Sequence, residues 1–574
     1  MAMLRAFQGE MRRLNEGGEE FARCFPEQGK MLSLSQVNDR DPYVERLLEG
    51  VAYLTAGVRQ ELKHSIAGLH EQLLESVCPQ LIDPYPSTVT LELGLDENRI
   101  EGADIAAGTH FYSQPVGNES LSLPFAAQRS IALRAFKLED FQWVSHYGGG
   151  SQLRFKLTGS AAAFRDKHAL SPLLLWIDDE SGQGYAMREA LLRRVDDVEV
   201  RLSGAELSAS VLRLKDSIYF ESAFPLSCSD LFGVSLPGSQ ALERLQAYFL
   251  AREQLLFVNL CGLDQLDLPD QLNSLDIIFH LAFPAPGVEQ SSRSVLRYGC
   301  VPAINLNRGW ADPVRLQAGA DECLVRSQTD GPDSRVVHRV LQVEGRSTHS
   351  GESQSYSALS TWGVDGITGG LYRVVRPDKG SAGRGDPEIR LDPASAKQEQ
   401  TLSIDVLYSN GDLPRLHLSK GNIDVCSGEV PEGVTVNNLH RPRAFRPAPV
   451  ETAQTQLLNC LLRCDIERLA DKQFMRTLLF AVANAAHSQV PVAVRAIGDI
   501  DWQSTTRWRK GVIEQGIKVR MPIDTRHIPD RGEACLLAEL IHGVLLEWAP
   551  LDRFVELVLV FEPSGEEEQW TNCL

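Results

Sequence analysis

The chain has 574 residues, 43% hydrophobic and 23% charged, with a formal net charge of −19. That length supports about three to four domains around a substantial core. The acidic balance argues against binding a phosphate backbone, which needs clustered Lys and Arg, and no run of 18 apolar residues offers a membrane-spanning helix.

The N-terminus MAMLRAFQGEMRR has no apolar signal core. The 11 cysteines are odd in number and scattered, with no CxxC pair, so the expectation is a reducing cytosol without disulfides. Cys460 and Cys464 stand one helical turn apart and read as core cysteines.

In chain order, residues 1–86 read as a helical region. Leu4, Phe7, Met11, Leu14, Phe21 and Phe25 mark one side of a first helix, which Gly17-Gly18 is expected to bend or break. The stretch DPYVERLLEGVAYLTAGVRQEL, residues 41–62, follows. Asp41 is a good N-cap and Pro42 suits the first helical position. Val44, Leu47, Leu48, Val51, Leu54, Val58 and Leu62 recur at three- and four-residue steps, an amphipathic stripe. Gly50 and Gly57 interrupt a strong helix, at about 1 kcal/mol each relative to Ala, which suggests that another backbone comes close. Glu45 and Glu49 lie one turn apart. A catalytic carboxylate pair needs two acids converging on a cleft, so they read as the wet edge of a helix. A third helix, IAGLHEQLLESV, ends at Cys78-Pro79, and the prolines of CPQLIDPYPST form a rigid exit.

From Thr88 the period changes to two. TVTLELGL, SIALRAF, QLRFKLTG, LLLWID, VEVRLSG, SIYFES, LLFVNL and DIIFHLAF read as strands, with one clear helix near 241–253. Residues 87–300 therefore form one or more β-rich domains. Residues 301–445 read as a further β-rich domain carrying a Gly/Ser-rich loop insertion at 345–390. Residues 446–574 alternate helices (TAQTQLLNCLLRCDIERLA, DKQFMRTLLFAVANAAHS, EACLLAELIHGVLLEWA) with strands (VPVAVRAIG, GVIEQGIKVRMPI, FVELVLVF), a compact α+β domain. The fold class is multidomain α+β: N-terminal helices, β-rich middle, C-terminal α+β domain.

No motif carries catalysis. There is no GxxxxGK[ST] and no GxGxxG between strand and helix. His70-Glu71 starts like HExxH, but Leu74 stands where the second imidazole belongs. His146–Gly150, HYGGG, has no GxSxG nucleophile elbow to serve. Asn118-Glu119-Ser120 is a glycosylation sequon without consequence in a cytosolic protein. Cys464 and His487 sit on adjacent expected helices and read as packing residues. The expectation is a non-enzymatic assembly component with no cofactor, no metal, no small-molecule substrate and no nucleic acid partner.

An ordered series of blocks also carries a family resemblance. DPYVERLLEGVAYL resembles the most recognisable block of the TssF (VasA/ImpG-like) family of type VI secretion system baseplate wedge subunits. CPQLIDPYPS resembles its R-P-x-P-S segment, with Asp83 where the family has a basic residue. LQAYFLAREQLLFVNLCGL, residues 245–263, resembles its Y-F-x-F-P-E-K-F-x-F-F block, with Arg252 and Gln254 near the Pro and Lys. VPAINLN resembles P-x-x-N-L-F, with Asn307 for the Phe. TLSIDVLYSNGDLP resembles T-N-x-D-L-P, NLHRP the arginine-proline segment, and RWRKGVIEQGIKVRMPID the strand region near the end; APLDRFVELVLV keeps only the spacing of L-N-x-F-T-E. The resemblance implies a structural protein in which two copies join one TssG-like subunit in a wedge, six wedges surrounding a VgrG-type spike. It further implies contacts with TssK-like and TssE-like subunits, docking on the cytoplasmic side of the membrane complex, and a role in starting tube and sheath polymerisation and in triggering contraction. The interface expected on the N-terminal helices comprises Val44, Leu47, Leu48, Gly50, Val51, Leu54, Gly57 and Val58. A wedge protein of a contractile phage tail or related device is the alternative, and gene neighbourhood separates the two. A carbohydrate-active enzyme is a remoter one.

Overall fold

The computed structural model describes residues 2–571 except 32–41, 96–101, 118–119, 146–149, 180–181, 205–206, 214–216, 235–237, 270, 282–294, 328–334, 360–369, 377–385, 393–398, 450, 484–490 and 510. Asp41, the Asn118-Glu119 part of the sequon, His146 to Gly149, and His487 lie outside the described residues.

The N-terminal region is a pair of helices, Ala2–Cys24 and Pro42–Val77, with a short helix Pro26–Met31 between them. Two expectations are corrected. The first helix runs through Gly17-Gly18 unbroken, because two glycine penalties are small against the helix-forming residues on either side. The expected second and third helices are one helix of 36 residues, about 54 Å long. No proline or cap separates them, and the helix stops where Pro79 removes a donor, with Cys78 N donating to Leu74 O at 2.7 Å. The helices pack through Ala52 and Ala56, both fully buried. Alanines one turn apart let helical backbones approach. The buried Glu10 takes ion pairs from Arg59 and Arg13 across and along this seam.

The middle of the chain is built of sheets whose strand pairs are antiparallel except Ser353–Ala358 with Gly370–Val375. One sheet has the order Ile423–Cys426, His110–Ser113, Pro124–Ala127, Cys300–Ile304, Thr88–Leu95, Val434–Asn438. It therefore runs across the expected 300/301 boundary: Thr88 pairs with Ile304 on one side of its strand, and Leu91 with Asn438 on the other. A second sheet orders Leu207–Arg213, Val195–Gly204, Leu272–Leu281, Ser151–Gly159 and Phe136–Ser145. A third orders Tyr219–Ser222, Phe257–Cys261, Leu173–Ile177 and Leu296–Tyr298. The strand Leu173–Ile177 is buried along its whole length, and the adjacent Phe257–Cys261 likewise. The helix expected near 241–253 is Gln240–Leu250 followed by a 3-10 turn, Arg252–Leu255. It is not the only clear helix here: Gly184–Arg193 also forms, burying Met187, Ala190 and Leu191.

Residues 307–409 hold an eight-stranded sheet with its own core of Val337, Val343, Tyr356, Ile389, Leu402 and Ile404, among others. The segment 345–390, expected as a loop insertion, supplies strands to this sheet: the end of Val336–Ser347, then Ser353–Ala358, Gly370–Val375 and Glu388–Leu391. In SQSYSA the polar residues stand outward or half-buried while Tyr356 enters the core and its hydroxyl donates to Gln400 Oε1 at 2.7 Å. A half-solvated strand rich in Ser and Gln has the composition of a loop, which is why composition misled.

In the C-terminal part, helices Glu451–Leu462, Ile466–Leu469 and Lys472–Val482 precede a sheet ordered Asp501–Arg509, Val512–Asp524, Arg553–Glu562, Glu567–Thr571. Val512–Asp524 and Arg553–Glu562 are parallel, joined through helix Arg531–Glu547, as a crossover requires. VPVAVRAIG, expected as a strand, forms the short helix Val492–Ala496 instead. Its β-branched residues alternate as in a strand, but Ala493, Val494, Ala496 and Ile497 are buried together on a turn. Helix Arg531–Glu547 packs on Gly184–Arg193, and a Cβ at Gly532 would lie 2.1 Å from Tyr185 O. Only a glycine fits that crossing.

Candidate functional site

The expected interface residues lie on the helix Pro42–Val77. Leu47, Leu54 and Val58 are 70%, 69% and 70% exposed, and Val51 is 47% exposed. Spaced at three and four residues, they form one continuous apolar stripe. Leu62 and Leu69 extend it towards the helix end, and Tyr43 begins it. Leu48 and Gly57 are half-buried and Gly50 is exposed, while the side chain of Val44 lies outside the described residues. Among the described residues, a Cβ at Gly50 would meet nothing within 4 Å. On the side facing the first helix, Ala52 and Ala56 are fully buried. Glu45 and Glu49 are exposed.

Exposed apolar side chains on the first helix accompany this stripe. Leu4, Phe21 and Phe25 are exposed, and the Phe21 and Phe25 rings lie 5.2 Å apart. An apolar stripe left in water along a helix marks a protein–protein contact. At about 25 cal/mol per Å² such a face is costly to leave in water.

The other end of the long helix is tied to the body. Arg376 N donates to Glu71 Oε2 at 3.2 Å, and His70 Nδ1 lies 3.3 Å from Thr455 Oγ1. So the His-Glu pair that begins like a zinc motif joins the helix to the eight-stranded sheet and to the C-terminal helices. Among the described residues no group of three or more His, Cys, Asp or Glu is arranged to hold a metal. Next to Glu71, Asp83 accepts from Arg339 Nε at 2.8 Å and from Arg376 Nη2 at 3.2 Å, with His338 Nε2 3.7 Å away. Burial pushes the Asp83 carboxyl up, but Arg339, His338 and Arg376 outweigh it and hold it below the usual carboxylate range. Burial, partly offset by Arg376, pushes Glu71 up to about 7, and burial pushes the His338 imidazole down to about 4. A cavity of about 30 Å³ beside this cluster is lined by Gln80, Asp83, Glu243 and His338 among others. It has room for about two waters, far below the several hundred Å³ of an ordinary ligand pocket.

The remaining candidates are structural. Cys460 and Cys464 are unbridged, and burial pushes both thiols up, Cys464 to about 12, the opposite of a reactive thiolate. Two blocks far apart in sequence meet inside the fold. Asn305 of VPAINLN donates through Nδ2 to Asn410 Oδ1 at 2.9 Å, and Asn410 N donates to Asn305 Oδ1 at 2.7 Å. Asn438 of NLHRP donates to Ser419 O at 2.8 Å and accepts from Ile423 N at 2.9 Å. These asparagines fasten loops to sheets. Sequence reading missed Ala52 and Ala56, although two alanines one turn apart on the side of the helix away from the apolar stripe were a readable signal.

A sequence model of the family described as "Type VI secretion system, TssF" matches residues 1–574. The "Type VI secretion system component TssF1" of Pseudomonas aeruginosa is 28% identical over 613 aligned positions, covering 99% of this chain and 98% of the relative. Among solved structures, a chain of the type VI secretion system TssK-TssF-TssG baseplate subcomplex superposes with a TM-score of 0.76 at 23% identity, covering 92% of this chain and 98% of that one. A chain of the baseplate complex from the type VI secretion system superposes with a TM-score of 0.65 at 22% identity, covering 99% and 98%. Both likenesses extend the shared fold over nearly the whole length.

Proposed function

This chain belongs to the TssF family of the type VI secretion system, and we propose that it works as a non-enzymatic wedge subunit of that system's baseplate. The match of the family model to residues 1–574 carries the reading. The chain assembles with TssG-like and TssK-like subunits, two copies of it to one TssG-like subunit, and the wedge meets a TssE-like subunit and a VgrG-type spike. The baseplate then sits in the cytoplasm against the inner face of the inner membrane. The membrane complex is met indirectly, through the assembled baseplate; no helix of the described residues is long and apolar enough to cross a membrane.

The stripe Leu47, Val51, Leu54 and Val58 is the surface by which the long helix joins a bundle with helices of the TssG-like subunit. Its exposure supports this, because an obligate interface buries large apolar area and resembles a core. The buried ion cluster around Asp83 fixes the helix to the body, so that a force on the bundle reaches the sheets. The test is co-expression with the products of neighbouring genes, followed by the native mass of the purified complex. The expected mass holds two copies of this chain and one TssG-like subunit. A chain that purifies alone from cells making those subunits contradicts the reading.

A further inference from the structure

The C-terminal sheet has two edges of different character. At one edge, Glu567–Thr571 is closed off by charge: Glu567 pairs with Arg520, and Glu568 with Arg193 and Arg531. At the other, Asp501–Arg509 is nine residues long and, among the described residues, pairs with a neighbour on one side alone. Its sequence, DWQSTTRWR, contains no Pro and no Lys, and its register with Val512–Asp524 is continuous without a bulge. Natural edges are normally blunted by one of those devices. Among the described residues no further strand covers this one.

The side chains do not finish the sheet either. Trp502 and Trp508 share a face with Val519 and Ile513, their cross-strand partners. Val519 is buried, whereas Trp508 is 72% exposed and Ile513 and Trp502 are exposed as well. The apolar layer thus runs past its cover and ends on two tryptophans six residues apart.

The strand is complementary to itself. Laid antiparallel against a second copy with Thr505 opposite Thr505, it sets Trp502 opposite Trp508, Asp501 opposite Arg509 and Ser504 opposite Thr506, each pair occurring twice. Directly opposed aromatic and opposite-charge pairs are the stabilising ones in antiparallel sheets, and a two-fold axis is what a self-complementary edge demands. We propose that two copies of this chain join through this edge, forming one continuous sheet about a two-fold axis at Thr505. This rests on the reading that two copies share one complex. A nine-residue edge is small beside the roughly 1,600 Å² of a stand-alone interface, so it acts between copies already held together elsewhere, at high effective concentration.

The test places Thr505→Cys in the full chain, co-expressed with its partner subunits, and applies a mild oxidant. Opposed antiparallel residues have Cα atoms about 4.5–5.5 Å apart, within disulfide range. The expected result is a covalent dimer of this chain several-fold above the parent chain, whose own exposed Cys24 sets the background. Gln503→Cys alone gives no such gain, and Gln503→Cys with Arg507→Cys restores it. The native mass counts the copies independently. Two copies without a Thr505→Cys dimer overturn the edge pairing and leave the two-copy reading intact; one copy overturns both. Equal dimer from Gln503→Cys alone overturns the register.

Discussion

Asp83 and Arg339 face each other in the interior, both almost fully buried, with Arg339 Nε donating to Asp83 Oδ2 at 2.8 Å. Asp83 stands at a position that is basic in the family pattern, yet the position still carries a charge contact. The arginines come from the eight-stranded sheet, and Asp83 comes from the proline-rich exit of the long helix. Removing one partner leaves the other charged and buried. Asp83→Asn or Arg339→Met is expected to destabilise the fold by about 3–5 kcal/mol, read from denaturant midpoints. The double change to Leu and Met is expected to recover only part of that loss, because it leaves the buried Arg376 without the carboxylate it shares with Arg339.

Glu71 gives the joint a pH dependence. Its folded value of about 7 lies above its ordinary 4.5, so between those values the folded state binds more protons than the unfolded one. Its contribution is therefore fully present below about 4.5 and lost as pH rises through about 7, on the order of 3 kcal/mol in all. His338, held near 4 against an ordinary 6.5, acts oppositely: its burial in neutral form is without penalty above 6.5 and destabilises as pH falls towards 4. Glu71→Gln keeps an acceptor for Arg376 N and removes the first dependence. The variant is expected to be more stable than the parent at pH 8 and equal to it near pH 4.5. A stability difference that does not change with pH contradicts this account.

The two sides of the long helix should respond differently. Ala52 is fully buried against the first helix, and Ala52→Leu is expected to destabilise the helical pair by about 1–3 kcal/mol through overpacking. Leu54 is exposed, and Leu54→Asp is expected to shift the stability of the isolated chain by no more than about 0.5 kcal/mol. Thermal and denaturant melts of the unpartnered chain check both.

Deletion of residues 346–390 is expected to collapse the eight-stranded sheet, because it removes two whole strands, most of a third and the core residues Tyr356, Tyr372 and Ile389. Tyr356→Ala alone should destabilise by about 3–5 kcal/mol, as for other large aromatic truncations. Limited proteolysis of the variants gives the readout: rapid loss of 307–409 is expected, and a protease-resistant deletion variant contradicts it.

Local chemistry was legible wherever one period dominated. The stripe of the long helix, the strand TVTLELGL and the apolar face of Arg531–Glu547 could be read because apolar residues recur there with the period of the element, although the stripe is exposed and Thr88 and Thr90 are buried along with Val89 and Leu91. The segment 345–390 was not legible, since a strand with one solvated face and serine-rich positions has the composition of a loop. Val492–Ala496 misled because three valines alternate in a stretch too short to show a helical period. The joining of Thr88–Leu95 to Val434–Asn438, and of Asn305 to Asn410, depends on contacts more than 100 residues apart, which no local pattern encodes. As for the candidate site, Leu47, Val51, Leu54 and Val58 are exposed at the spacing read from the sequence. Ala52 and Ala56, fully buried, carry the packing on the other side of that helix and were not read.

The central claim is that the exposed stripe of the long helix joins this chain to its assembly. It is tested most directly by co-purifying the tagged chain with co-expressed TssG-like and TssK-like subunits, comparing the parent with Val51→Asp/Leu54→Asp. The account predicts that the parent retains both subunits, while the double variant, with unchanged circular dichroism, loses the TssG-like subunit by at least tenfold, or about 1.4 kcal/mol. A folded double variant that retains the TssG-like subunit at the parent's level contradicts it.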